Sequence, residues 1–251
     1  MIEIKSNYIE ICNALSDKQY FTRRDFSSYV KEYNPYLKDN SIGWLLYNLC
    51  QKQVIEHIAH NTYRVYKTSN TLQDYKPILS ADALNIFKYI KKRFPLIDFI
   101  IWETRAFNEF SNHQVARNFI FIEVEKPLGE SVFESIRDRD KFTVLYKPNE
   151  KEITMYSDDV TISVLHLTSE APINEYRAKL EKLLVDLFAN KLLDNIISRG
   201  DYPGIYEEAF SRYSINHSMM FRYAKRRNKD IEIKHFINEQ TNITLIGSMF
   251  R

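Results

Sequence analysis

The sequence predicts an α+β protein, with an N-terminal winged helix-turn-helix followed by a mixed α/β domain that has a helical C-terminal part. Three observations carry this. Apolar residues in the first 50 positions recur at spacings of 3 and 4, then give way to two β-branched stretches separated by His60-Asn61. From about residue 80, short apolar runs alternate with helical patterns, the order of a sheet covered by helices. Beyond about residue 174 only the helical period remains.

Along the chain, Ile4, Tyr8, Ile11, Cys12 and Leu15 mark the buried face of a first helix. A second, short helix starts after Thr22, where Asp25 three residues on suits a helix N-terminus, and runs through Phe26, Tyr29 and Val30. Asn34-Pro35 stops it, because the residue before proline is pushed out of the α region. A third helix covers about Ser41 to Gln51, with Ile42, Leu45, Leu46 and Leu49 on one face and Asn40, Trp44, Tyr47, Asn48 and Gln51 on the other. Val54–Ala59 and Thr62–Tyr66 then form a hairpin over His60-Asn61, since Asn tolerates positive φ.

Helices followed at once by a hairpin give the order of a winged helix-turn-helix, whose third helix enters the major groove. Asn40, Trp44, Tyr47, Asn48 and Gln51 would meet base edges, with Arg23, Arg24, Lys38, Lys52 and Arg64 placed for phosphates. The expected partner is duplex DNA. A docking patch for another protein, built on Trp44 and Tyr47, is the competing use of the same face.

Lys67–Pro77 is polar and ends in proline, which divides the chain into 1–68, a linker at 69–79, an α/β domain at 80–170 and a helical region at 171–251 packed on it. The middle region reads as helix Ser80–Phe94, strand Leu96–Trp102, helix Thr104–Phe110, strand Asn118–Val124, helix Glu130–Arg137 and strands Phe142–Tyr146 and Val160–Leu167. An amphipathic helix follows over Asn174–Ala189, continuing through Leu192, Leu193, Ile196 and Ile197 to Gly200. Tyr206–Tyr213 forms another. The last, capped by Asn216 or Ser218, reaches Lys225, Arg226 and Arg227, a cluster that suits a helix C-terminus and a phosphate partner alike.

Composition bounds the function. With 251 residues, 44% hydrophobic, 27% charged and a net charge of +2, the chain can fold around a core and is not disordered. Positions 1–70 carry 9 basic and 7 acidic residues, 71–210 carry 18 and 23, and 211–251 carry 8 and 3, so the ends are the basic parts. Only 5 glycines leave little for phosphate-cradling loops. No apolar run approaches the roughly 20 residues of a membrane span, and Met1–Lys5 does not begin a secretory signal, which predicts a cytoplasmic protein. Cys12 and Cys50 sit in apolar patterns and read as core.

Candidates for catalysis are carboxylates near strand ends: Asp98, Glu103, Glu123 and Glu125, with Lys126 beside the last. A metal-dependent nuclease would use such a set, although strand geometry lets Glu123 and Glu125 converge while Lys126 points away. Among 33 acidic residues a few at strand ends are ordinary, and the six histidines lack metal-ligand spacing. No catalytic residue, metal site or cofactor is expected.

The segment Tyr20–Tyr66, the stretch Ile101–Phe110 leading into Phe119–Glu125, and Tyr213–Ser218 with Arg222–Asn228 together resemble the abortive-infection antitoxin family of type IV toxin-antitoxin systems (AbiEi-type). The resemblance implies an N-terminal domain that binds operator repeats and represses its own operon. It further implies a C-terminal domain that is not an enzyme and counteracts a nucleotidyltransferase-like toxin, functionally rather than necessarily by contact. A nuclease using the strand-end carboxylates and a protein interaction module are the alternatives.

Overall fold

A computed structural model describes residues 10–12, 14–15, 18, 20–52, 54–65, 72–111, 113–139, 142–243 and 245. The chain divides into two compact units, one of residues 1–73 with 214–218 and 244–251, the other of residues 74–213 with 219–243.

In the first unit, β1 (Phe21–Thr22) leads into α1 (Arg23–Tyr33), then α2 (Asp39–Gln51), β2 (Ile55–Ala59) and β3 (Thr62–Val65). Most of the helix expected at Ile4–Leu15, the end of the hairpin at Tyr66 and part of the expected linker lie outside the described residues. Thr22 starts α1 by a reciprocal cap. Its hydroxyl accepts from Asp25 N–H at 3.1 Å, and the Asp25 carboxylate accepts from Thr22 N–H at 2.8 Å. That backbone hydrogen bond is the main cause holding the Asp25 carboxyl below its ordinary value.

Ile42, Leu45, Leu46 and Leu49 of α2 are buried against Ile11, Leu15, Phe21, Phe26 and Val30, so the 3–4 spacing serves one small core. The sheet order is β1-β3-β2, antiparallel throughout. Asn61 closes the β2–β3 turn at φ 54°, the left-handed region asparagine tolerates. β1, two residues long, carries no alternating signal that would have announced it.

The second unit is an α+β body around a six-stranded mixed sheet. Its elements are α3 (Ala81–Arg93), β4 (Phe99–Glu103), β5 (Asn118–Val124), α4 (Gly129–Arg137), β6 (Thr143–Tyr146), α5 (Glu150–Tyr156), β7 (Val160–His166), β8 (Ile173–Asn174), β9 (Arg177–Ala178), α6 (Leu180–Ala189), α7 (Tyr202–Arg212), α8 (His217–Arg226) and α9 (Asp230–Gln240). Strand order is β6-β7-β5-β4-β9-β8, with β5, β7 and β6 mutually parallel and β4 antiparallel to β5.

One sheet face, through Ile120, Ile122, Val124, Ile162 and Val164, packs on Ala83, Ile86 and Ile90 of α3 and Val132 and Ile136 of α4. Trp102, Phe119, Phe121 and Glu123, the alternate positions, belong to the opposite face, where α6 is joined to the sheet through a hydrogen bond from Lys182 to Glu123. Tyr202 and Tyr206 of α7 clamp α6 by donating to Leu187 O at 2.7 Å and Leu184 O at 2.8 Å.

Four expectations need correction. The helix expected from Asn174 begins at Leu180, because Ile173–Asn174 and Arg177–Ala178 pair as a small hairpin with Glu175 at φ 55°. Tyr176 therefore leaves the helical stripe and packs against Phe99 at 4.9 Å between ring centroids. α6 is buried from Leu180 to Phe188 on every side rather than along one stripe. Thr104–Glu109 is a 3₁₀ segment and not an α-helix. α5 and α9 are additional to the expected elements: in α5 Ile153 is the buried residue and no period shows, whereas Ile233, Phe236 and Ile237 of α9 do recur at spacings of 3 and 4. No helix among the described residues is long and apolar enough to cross a membrane.

Candidate nucleic-acid interface

The buried face of α2 fixes what its opposite face presents. Trp44 is 41% exposed and Tyr47 63% exposed, and Asn40, Gln51 and Lys52 are exposed beside them, as is Tyr36 in the preceding turn. α2 and its flanks thus gather Asn40, Trp44, Tyr47, Gln51 and Lys52 of the expected site residues on an exposed surface. The fifth member of the helix face, Asn48, is half-buried and donates its amide to Trp44 O at 2.7 Å, which commits one of its two donors.

The basic residues divide. Arg24 and Lys38 are exposed. Arg23 reaches across α1 and α2 to donate to Asp39 O at 3.1 Å, with its guanidinium 3.6 Å from where a Cβ on Gly43 would stand. It fastens two helices together while remaining partly accessible. Arg64 donates to Glu56 Oε2 at 2.6 Å and to Ser214 Oγ at 2.9 Å, so its charge is already met inside the unit. His217, at the start of α8 and within the first unit's 214–218 segment, is buried and has its pKa pushed down to about 4, by burial first and then by the Arg64 charge.

Of the carboxylates that a nuclease would need, Glu103 and Glu123 are buried and partnered, while Asp98 and Glu125 are exposed. Glu103 is buried and accepts from Ser80 N–H at 2.6 Å, Ser80 Oγ at 2.8 Å and Asn118 Nδ2 at 2.9 Å, which ties the start of α3 to β4 and β5. Glu123 accepts from Trp102 Nε1 at 2.8 Å and Lys182 Nζ at 2.5 Å. Glu125 is exposed, so the two do not converge as strand alternation suggested; the strand ends at Val124. Among the described residues no group of three or more His, Cys, Asp or Glu is arranged to hold a metal ion.

Lys182 and Asp186 were not singled out from the sequence, although an opposite-charge i,i+4 pair inside a run as apolar as Leu180–Phe188 is a readable sign of a buried ion pair. Their cluster is closely connected, although Glu123 Oε2 is buried in it without a hydrogen-bond partner. Lys182 binds both carboxylates, Tyr223 Oη donates to Asp186 at 3.1 Å, and Arg227 approaches Asp186 at 3.4 Å. Burial opposes the ammonium, but Asp186 and Glu123 outweigh it and raise Lys182 above its ordinary value. Arg227 also donates to Ala189 O at 2.9 Å, and Arg226 pairs with Glu170, so two of the three cations at the end of α8 have structural partners.

The first unit thus presents an exposed polar and aromatic helix face, and in the second unit Glu103 and Glu123 serve structural hydrogen bonds. A family model described as "Family of unknown function (DUF6577)" matches residues 41–243, and the chain belongs to that family. No curated protein matches it. A solved structure, "Crystal structure of RV2827C protein from Mycobacterium tuberculosis", aligns over 97% of this chain and 84% of that one at 10% identity and a TM-score of 0.25.

Proposed function

We propose that this chain is a DNA-binding autorepressor of the antitoxin type, whose first unit acts as a winged helix-turn-helix. The observation that supports it best is the surface of α2: four buried leucine and isoleucine side chains on one side, and Asn40, Trp44, Tyr47 and Gln51 presented on the other, followed by the β2–β3 hairpin. Asn and Gln offer paired donors and acceptors to a base edge, and Arg24, Lys38 and Lys52 supply phosphate contacts around them. Arg64 is a weaker phosphate candidate, because it would first have to leave Glu56.

The experiment is a salt series of binding to the duplex upstream of the gene. Replacing Arg24, Lys38 and Lys52 together by alanine is expected to weaken all sequences alike and to reduce the salt slope by about 0.9 per lost phosphate contact. Gln51→Ala is expected to erode sequence preference by about 1–3 kcal/mol while nonspecific binding persists. Binding untouched by the triple change would discard the groove assignment. The antitoxin part is tested separately, by relief of growth inhibition when the full chain is expressed beside an adjacent nucleotidyltransferase gene.

A further inference from the structure

In the second unit, the parallel strands β6, β7 and β5 end together in three basic side chains. β5 leaves the sheet as Val124-Glu125-Lys126-Pro127 and β6 as Tyr146-Lys147-Pro148, while β7, which lies between them, ends on His166. Register sets Val124 opposite His166 and Tyr146 opposite Val164, so the two Lys-Pro exits flank the imidazole. Lys147 is held at φ 46°, a costly region for a side-chain-bearing residue, by donating its N–H to Val164 O at 2.9 Å.

The Lys147 ammonium lies 4.6 Å from the Tyr146 ring centroid, and that ring stands edge-on to His166 at 6.3 Å. Both lysines are exposed, and neither has an ion-pair partner among the described residues. His166 Nδ1 is enclosed without a hydrogen-bond partner, which leaves Nε2 as the ring nitrogen a ligand can reach. Burial, then Lys147 and then Lys126 hold the imidazolium below its ordinary value; Glu125 and Glu130 are exposed in the adjoining segment but do not offset them. At the same edge, α4 begins without a side-chain cap, and Tyr146 Oη lies 3.0 Å from where a Cβ on Gly129 would stand.

We propose that the carboxyl ends of β5, β6 and β7 bind the phosphate group of a small-molecule ligand, with Lys126 and Lys147 as charge partners and His166 Nε2 as a hydrogen-bond donor. Open sheets bind ligands at the carboxyl ends of parallel strands, and two unpaired ammoniums around a donor complement a tetrahedral oxyanion. Nothing in this site draws on the first unit, so its fate is independent of DNA binding there.

The test is an NMR titration of the His166 ring in the full chain with inorganic phosphate, against sodium chloride of equal ionic strength. Phosphate is expected to shift the His166 resonances saturably and to raise its apparent pKa, since the anion offsets both lysines. Lys126→Ala and Lys147→Ala, both at exposed positions, are each expected to weaken binding about tenfold, the loss of one charge-assisted contact. A ring indifferent to phosphate, or a response that survives both substitutions, overturns the proposal. A response to a short DNA duplex with none to phosphate overturns it too, by assigning the lysines to a nucleic-acid backbone.

Discussion

Removing the Lys182 ammonium tests the centre of the second unit most directly. Its side chain is wholly buried, and the carboxylates it serves are 4% and 1% exposed at Glu123 and Asp186. Deleting one partner of a buried ion pair costs about 3–5 kcal/mol, because the remaining charge is left unmet. In Lys182→Met, Arg227 still stands 3.4 Å from Asp186 and Trp102 Nε1 still donates to Glu123, so one negative charge, not two, goes unbalanced. We therefore expect a loss of about 4 kcal/mol at neutral pH, the middle of that range.

Adding Glu123→Gln restores neutrality and should recover about 2 kcal/mol, a coupling typical of side chains in contact. Urea unfolding followed by Trp102 emission, in a Trp44→Phe background, reads the difference. The pH dependence has a definite sign. Lys182 is raised in the folded state, so its contribution is complete below the ordinary lysine value of 10.5 and disappears only as pH climbs through the folded value. A loss under about 1 kcal/mol, the scale of an exposed pair, would refute the assignment of a dry, charge-balanced cluster.

Tyr202→Phe should cost more than Tyr206→Phe, about 1.5 against about 0.5 kcal/mol, as Leu187 O lies in the last turn of α6 while Leu184 O already has a helical donor. Equal losses in chemical denaturation would contradict that asymmetry. His217, depressed from 6.5 to about 4, takes up a proton on unfolding in that interval, so the stability it confers is present above about 6.5 and drains away as pH drops toward about 4. Its ring resonance is expected to titrate near the lower value; a midpoint near the ordinary one would contradict the buried environment.

Where a single apolar period governed a segment, the sequence was readable. Ile42, Leu45, Leu46 and Leu49 face the core as their spacing requires, and Asn118–Val124 is a strand with the bounds its run of apolar residues suggested. Three things escaped because their causes are tertiary. Leu96 looks like the first residue of a strand yet is 96% exposed, for pairing with β5 begins only at Phe99. Tyr176 mimics the helical stripe but answers to Phe99 across the sheet. Arg64 and Asn48 have side chains suited to nucleic acid, and only the positions of Glu56 and Trp44 show how much of that capacity is already used. Charge in a sequence gives no sign of whether its partner lies inside the fold, and Glu123 and Lys182 are 59 residues apart.

The late position of α6 governs how the second unit can be made. Synthesis proceeds from the N-terminus, so Trp102, Phe119 and Phe121 leave the ribosome well before residues 180–189 exist to cover them. Until then an aromatic sheet surface and an unneutralised Glu123 face water, and β4 still lacks its parallel neighbour β9, since Ile101 must wait for Arg177. Such distant pairings slow folding and lengthen the interval in which nascent chains stick to one another. A fragment ending near residue 170 would be caught permanently in that interval, so the strands and the helices that follow them form one folding unit, completed from its C-terminal side.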